Sequence, residues 1–159
     1  GIDGNQDDDS APLAGAVYVF ERNAAEQWSQ QAYVKASNTG PGDNFGDTVA
    51  LGADGNTLVV GAPREDGNAG IVDGPTDEAA PNAGAAYVFV RDAMNEWSQD
   101  AYVKAANSGP QQLFGESLAL SSDGSVLVVG AIGESSSASG IGGDQSNDSA
   151  YAAGAVYLY

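Results

Sequence analysis

The sequence predicts an all-β chain built from four-stranded antiparallel units, and three observations carry that expectation. The chain repeats itself at a shift of 69 residues, short β-type runs recur at matching places in the copies, and no window holds a helical period. Sliding residues 15–69 over 84–138 leaves 31 of the 55 positions identical. Gly-Ala-Val-Tyr-Val-Phe at 15–20 returns as Gly-Ala-Ala-Tyr-Val-Phe at 84–89 and as Gly-Ala-Val-Tyr-Leu-Tyr at 154–159. Gly and Pro interrupt every candidate helix.

The first strand of the unit is expected over residues 47–51 and the second over 57–60. Between them stand Ala53-Asp54-Gly55-Asn56, matched in the next copy by Ser122-Asp123-Gly124-Ser125. Asp-Gly between two apolar runs signals a tight hairpin, because the positive φ angles of a primed turn suit Gly and tolerate Asp. The third strand, 15–20, is apolar on both faces, with Tyr18 and Phe20 on one and Val17 and Val19 on the other. A strand of that kind is covered on both sides. The fourth, 28–36, mixes Gln, Ser and Lys with Trp, Tyr and Val, which suits a half-exposed outer strand.

Four antiparallel strands per repeat, with both faces of the sheet apolar, is the pattern of a β-propeller blade. On this reading residues 1–36 are a loop plus strands three and four of a first blade, 37–106 a complete blade, and 107–159 strands one to three of a further blade. That is about two and a fraction repeats of about 70 residues, too few to close a ring of the usual ~4–8 blades. Such a chain is either cut from a longer array or associates with copies of itself through its strand edges.

The ordered motifs resemble a known family. Phe45-Gly46-Asp47-Thr48-Val49-Ala50-Leu51, then Leu58-Val59-Val60-Gly61-Ala62-Pro63, then Gly84-Ala85-Ala86-Tyr87-Val88-Phe89 look like the FG-GAP repeat of integrin α-subunit propellers and many bacterial surface proteins. The second copy, Phe114-Gly115-Glu116-Ser117-Leu118-Ala119-Leu120 with Gly130-Ala131-Ile132, matches except that Ile stands where the first has Pro. The resemblance implies a propeller-like fold and an extracellular or cell-surface setting, while propellers as a class host unrelated activities. In the integrin-like version an Asp-rich loop between the first two strands holds calcium. Here only Asp54 and Asp123 remain in those turns, which are too short to wrap an ion.

Composition narrows the chemistry. With neither Cys nor His, thiolate and imidazole chemistry is excluded, and with it zinc and haem sites and Ser-His-Asp triads. Against 22 acidic residues stand 5 basic ones, a net charge of −17 that repels nucleic acid and anionic lipid and attracts hard cations. No apolar run is long enough for insertion in a membrane.

The acids collect in the long loops before each third strand, which hold 12 of the 22. The loops align: Gly1-Ile2 with Gly70-Ile71 and Gly140-Ile141, Asp8 with Asp77 and Asn147, Asp9 with Glu78 and Asp148. Two readings stand. The loops are calcium sites, using Asp3, Asn5, Asp8 and Asp9 in the first copy, Asp73, Asp77 and Glu78 in the second, and Asp144, Asn147 and Asp148 in the third, completed by carbonyls and water. Or they are solvated acidic loops whose Asp, Asn and Ser form turns.

Paired carboxylates also suit a glycosidase. Nothing sets one pair apart, and the candidates recur in every copy, so no catalytic residue is expected. Trp28 and Trp97 could stack on sugar rings, but a Trp at the same place in each copy is the mark of packing between blades. Lys35 and Lys104, with Arg22 and Arg91, are expected to pair with acids on neighbouring strands. The reading is therefore a non-catalytic extracellular module for adhesion or recognition of a protein or glycan ligand, stabilised by calcium and of bacterial type. The alternative is a structural subunit of a surface fibre that self-associates through exposed strand edges.

Overall fold

The computed structural model describes residues 1–67 and 78–159. Among them are nine strands and no helix: β1 Val17–Arg22, β2 Trp28–Val34, β3 Thr48–Leu51, β4 Thr57–Ala62, β5 Ala85–Arg91, β6 Trp97–Val103, β7 Phe114–Leu120, β8 Leu127–Ala131 and β9 Ala155–Leu158. They form three antiparallel sheets, β1-β2, β3-β4-β5-β6 and β7-β8-β9, in which every hydrogen-bonded neighbour is also the neighbour in sequence. Among the described residues the three sheets form no closed ring. The fold is all-β, with sheets of the propeller-blade kind.

The alternation read from the sequence sorts the side chains between the sheets. In the middle sheet Leu58, Val60, Tyr87 and Phe89 join Val34, Ala32 and the flank of Val17 and Val19 from the first sheet in one core. On the opposite face Val59, Ala86 and Val103 join Phe114, Val129 and Tyr157 of the third sheet in a second core. Successive residues of one strand thus serve two different interfaces, as period-2 geometry requires. Phe45 and Phe114 are the edge-on aromatic partners of Tyr87 and Tyr157, with ring centroids 5.3 and 5.4 Å apart.

Backbone stitching holds the sheets in register. Phe45 N–H donates to the Ala14 carbonyl and Phe114 N–H to the Ala83 carbonyl, each at 2.9 Å. Asn44 and Leu113 repeat the contact on Leu13 and Asn82, each at 3.1 Å. Gly84, at φ +83°, lies so close that a Cβ would run into the Phe114 carbonyl, and Gly15 stands against Phe45 in the same way. Only glycine accepts both that dihedral and that approach.

Three expectations change. The β3-β4 connection is not a two-residue primed turn: Gly52 N–H donates to the Thr57 carbonyl across a four-residue loop, and only Gly55 has a positive φ. Asp54 caps that loop by accepting from Asn56 N–H, so its role is a hydrogen bond and not a left-handed dihedral. Tyr18 and Phe20, expected in the inter-sheet core, are 48% and 52% exposed. They point away from the middle sheet, and among the described residues no further sheet lies against them.

Candidate functional site

The loop after β4 and the loop after β8 lead into β5 and β9, and residues 1–16 lead into β1, so the described parts of the long loops lie at the end of the sheets that also carries the connections from β2 to β3 and from β6 to β7. Burial there is uneven. Asp3, Asn5, Asp8, Asp9, Glu78, Asp144, Asn147 and Asp148 are exposed or half-exposed, whereas Asp43, Glu65 and Glu134 at the same end are buried. Asp73 and Asp77 lie outside the described residues.

In the first loop Asn5 and Asp8 border one cleft of about 330 Å³, with Lys35 on its wall. Asp3 Oδ1 accepts from Tyr33 N–H at 2.8 Å, Asn5 Oδ1 from Asp7 N–H at 3.0 Å and Asp8 Oδ1 from Ser10 N–H at 3.0 Å. Hydrogen bonds from the Ser10 side chain and backbone hold the Asp8 carboxyl below its ordinary pKa. In the third loop Asp144 Oδ1 accepts from Ser146 N–H, and the Ser146 hydroxyl and backbone lower its pKa in turn. Asn147 Oδ1 is ringed by the N–H and hydroxyl of both Ser137 and Ser149. The bonds from Asp7, Ser10, Ser146 and Ser149 N–H to the side chain two residues before are Asx turns, repeated along the loops. The donor set is all oxygen, the chemistry calcium takes. Among the described residues no three carboxylates converge into a group able to hold a metal ion.

The buried acids form a different kind of site. Glu65 Oε1 accepts from Asn38 Nδ2 and from the Tyr102 hydroxyl, both at 2.9 Å, while Oε2 accepts from Gly67 N–H at 3.0 Å and from Lys104 Nζ at 2.6 Å. Tyr87, whose hydroxyl donates to Asn38 Oδ1 at 2.7 Å, closes the network. Burial drives the Tyr87 phenol far above its ordinary pKa, and the Glu65 charge adds to the shift. In the third sheet Glu134 repeats the motif in part. Its Oε1 accepts from Asn107 Nδ2 at 3.0 Å and its Oε2 from the Ser136 hydroxyl at 3.0 Å, with the Tyr157 hydroxyl donating to Asn107 Oδ1. Burial pushes Tyr157 up to about 12, helped by the Glu134 charge.

Asp43 is the third buried acid, one oxygen accepting from Gly40 N–H at 2.7 Å. Desolvation raises its pKa to about 6 against that hydrogen bond, with Glu65, Glu78 and Asp66 adding repulsion. None of these three acids stood out in the sequence as a site. The available signal was that Glu65 and Glu134 remain identical at the 69-residue shift while their neighbours Asp66 and Ser135 differ.

The recurring cations divide. Lys104 pairs with Glu65 inside the protein, but Lys35 donates to the Gly15 carbonyl at 2.6 Å instead of pairing with an acid. Arg91 pairs with Glu21 of the neighbouring sheet and lies over the Trp97 ring, whereas Arg22 makes a solvent-exposed pair with Glu26. Trp97 is buried, its Nε1 donating to Gln31 Oε1 across the sheet boundary; Trp28, at the same repeat position, is 67% exposed.

No curated protein matches the chain. A family model does: residues 28–89, from β2 of the first sheet through most of β5 in the second, match the FG-GAP repeat. The motifs inside that span are Phe45-Gly46 and Gly61-Ala62-Pro63, the former seated at the backbone stitch between sheets. Over that span the chain is similar to an FG-GAP repeat, consistent with the propeller-blade kind of its sheets.

Proposed function

We propose that this chain is a non-catalytic, extracellular recognition module of a bacterial surface protein, binding a protein or glycan ligand in adhesion through the loops at one end of its sheets. The observation that carries the reading is the gathering of the long acidic loops at that end, each returning to a third strand of the same sequence type. The match to the FG-GAP repeat supports it. The recurrence of the same acids in every copy argues against hydrolysis, since an active site normally occurs once.

Calcium is the cation this reading assigns to the loops, supported by the paired positions Asp8/Asp9, Asp77/Glu78 and Asn147/Asp148 and by the net charge of −17. The test is the thermal midpoint in excess EGTA and across a calcium series, with magnesium as control at fixed ionic strength. A ligand held only by the native state at a hundredfold excess over Kd adds about 2.7 kcal/mol, a rise of several degrees. A calcium-specific rise that Asp8→Asn with Asp9→Asn reduces supports the assignment. A flat response returns the loops to solvated surface.

One observation favours a second reading, the self-associating fibre subunit. The outer face of the first sheet exposes Tyr18 and Phe20, and that of the third exposes Val156 and Leu158 at 64% and 71%. These are the two kinds of face that meet inside the molecule, where Tyr87 and Phe89 look one way and Ala86 and Val88 the other. Head-to-tail stacking of copies would cover both. Light scattering across a concentration series separates the readings: growth into higher species favours the fibre, a constant monomer mass the recognition module.

A further inference from the structure

The buried network around Glu65 is arranged for more than charge pairing. One carboxylate there holds two nitrogens of different kinds: Oε2 accepts from the Lys104 ammonium at 2.6 Å and Oε1 from the Asn38 carboxamide nitrogen at 2.9 Å. Only the nitrogen end of a carboxamide donates, so the Asn38 carbonyl oxygen is left for the Tyr87 hydroxyl, which donates to it at 2.7 Å. Tyr87 and Lys104 are fully buried and Glu65 is 1% exposed, while Asn38 is half-buried. Holding a lysine against a carboxylate requires neither the amide nor the phenol. The orientation of the amide belongs to the fold, because the third sheet repeats it: Asn107 Nδ2 donates to Glu134 Oε1 and the Tyr157 hydroxyl to Asn107 Oδ1. A primary amine, an amide carbon, a carboxylate touching both nitrogens and a hydroxyl on the amide oxygen are the parts of an amide exchange.

We propose that Lys104 and Asn38 condense within the folded chain to an isopeptide bond from Nζ to Cγ, with Glu65 as proton carrier and Tyr87 as oxyanion donor. Glu65 takes a proton from the Lys104 ammonium, and the freed amine adds to Asn38 Cγ, whose carbonyl electrons move onto Oδ1 under the Tyr87 hydroxyl. The bond from Cγ to Nδ2 then breaks as the carbonyl re-forms, and Glu65 passes a proton to the departing nitrogen. Of the three ammonium protons one stays on the new amide nitrogen and two leave with Nδ2 as ammonium, so Glu65 ends as it began and nothing is oxidised or reduced. Burial keeps competing water away, and the fold holds the two groups together, which an unactivated amide needs in order to react. The bond ties the end of β6 to the connection between β2 and β3. It forms once per chain, which sets it apart from turnover of an outside substrate, and it depends neither on the recognition reading nor on calcium in the loops.

Intact-mass spectrometry of the purified whole chain is the test. The expected mass lies below that of the sequence by one ammonia, and tandem spectra of a tryptic digest should show a branched peptide joined through Asn38 and Lys104, with no cleavage after Lys104. Asn38→Asp should lose one water in place of the ammonia at the same pair, and Lys104→Met should keep its full mass. Glu65→Gln, checked for strand content by circular dichroism, should also keep its full mass, which separates a proton carrier from mere proximity. A chain of full mass, or a deficit that leaves Lys104 unlinked to Asn38, overturns the proposal, and that result needs no variant to fold. A folded Glu65→Gln chain that still forms the bond overturns the role given to Glu65.

Discussion

Lys104 Nζ lies 2.6 Å from Glu65 Oε2, with both side chains shut away from water. The pair joins the end of β6 to the loop after β4, and Asn38 ties it to the connection between the first and second sheets. It is a cross-brace at the end of the molecule where the acidic loops converge.

Removing one member leaves the other buried and uncompensated. Lys104→Met is expected to destabilise the chain by about 3–5 kcal/mol, and Glu65→Gln combined with it should restore much of the loss. Urea unfolding followed by circular dichroism measures both. A single-variant loss below about 1 kcal/mol would show that the pair is hydrated in solution.

Asp43 makes stability depend on pH in the direction opposite to a paired carboxylate. Its folded pKa of about 6 lies above the ordinary value of 3.8, so the folded chain holds a proton that the unfolded chain has released between those pH values. The contribution of Asp43 is therefore greatest below pH 3.8 and is lost as pH rises through about 6. Asp43→Asn should raise the thermal midpoint at pH 7 by a few degrees and change it little at pH 3.5, with Gly40 N–H still accepted by the amide oxygen. Midpoints that shift equally at both pH values would remove Asp43 as the cause.

The two tryptophans provide a paired comparison. Trp97→Ala should cost about 3–5 kcal/mol and Trp28→Ala no more than about 0.5 kcal/mol, because burial and not residue type sets the loss. Chemical denaturation of the two variants checks the difference. Similar losses would mean that another surface covers Trp28 in solution.

Gly84→Ala should destabilise by more than the roughly 1–3 kcal/mol of a left-handed backbone alone, because the new Cβ also meets the Phe114 carbonyl. Amide exchange at Phe114, whose N–H donates to Ala83, should accelerate in the variant relative to amides of the β4-β5 ladder. Unchanged protection there would show that the stitch does not hold the second and third sheets together.

What the sequence by itself determined was local and periodic. Strand positions came through to within a few residues, because alternation of apolar and polar side chains is a property of the strand: 57–60 became Thr57–Ala62 and 28–36 became Trp28–Val34. The internal repeat likewise established the all-β class and the apolar character of both sheet faces. Tertiary structure alone decided which of two equivalent residues is buried. Tyr18 and Tyr87, Trp28 and Trp97, and Lys35 and Lys104 occupy matching places in the repeat, yet the first of each pair faces solvent or a backbone carbonyl and the second a neighbouring sheet or a buried acid. The loop acids show the same division. Asp8 and Asp144 each accept a backbone N–H two residues on, while Glu65 looked like one loop acid among many and is an internal ion-pair partner. The physical reason is that desolvation and charge pairing depend on what the fold packs against a residue, as in the Glu65–Lys104 contact between residues 39 positions apart, which no local pattern encodes.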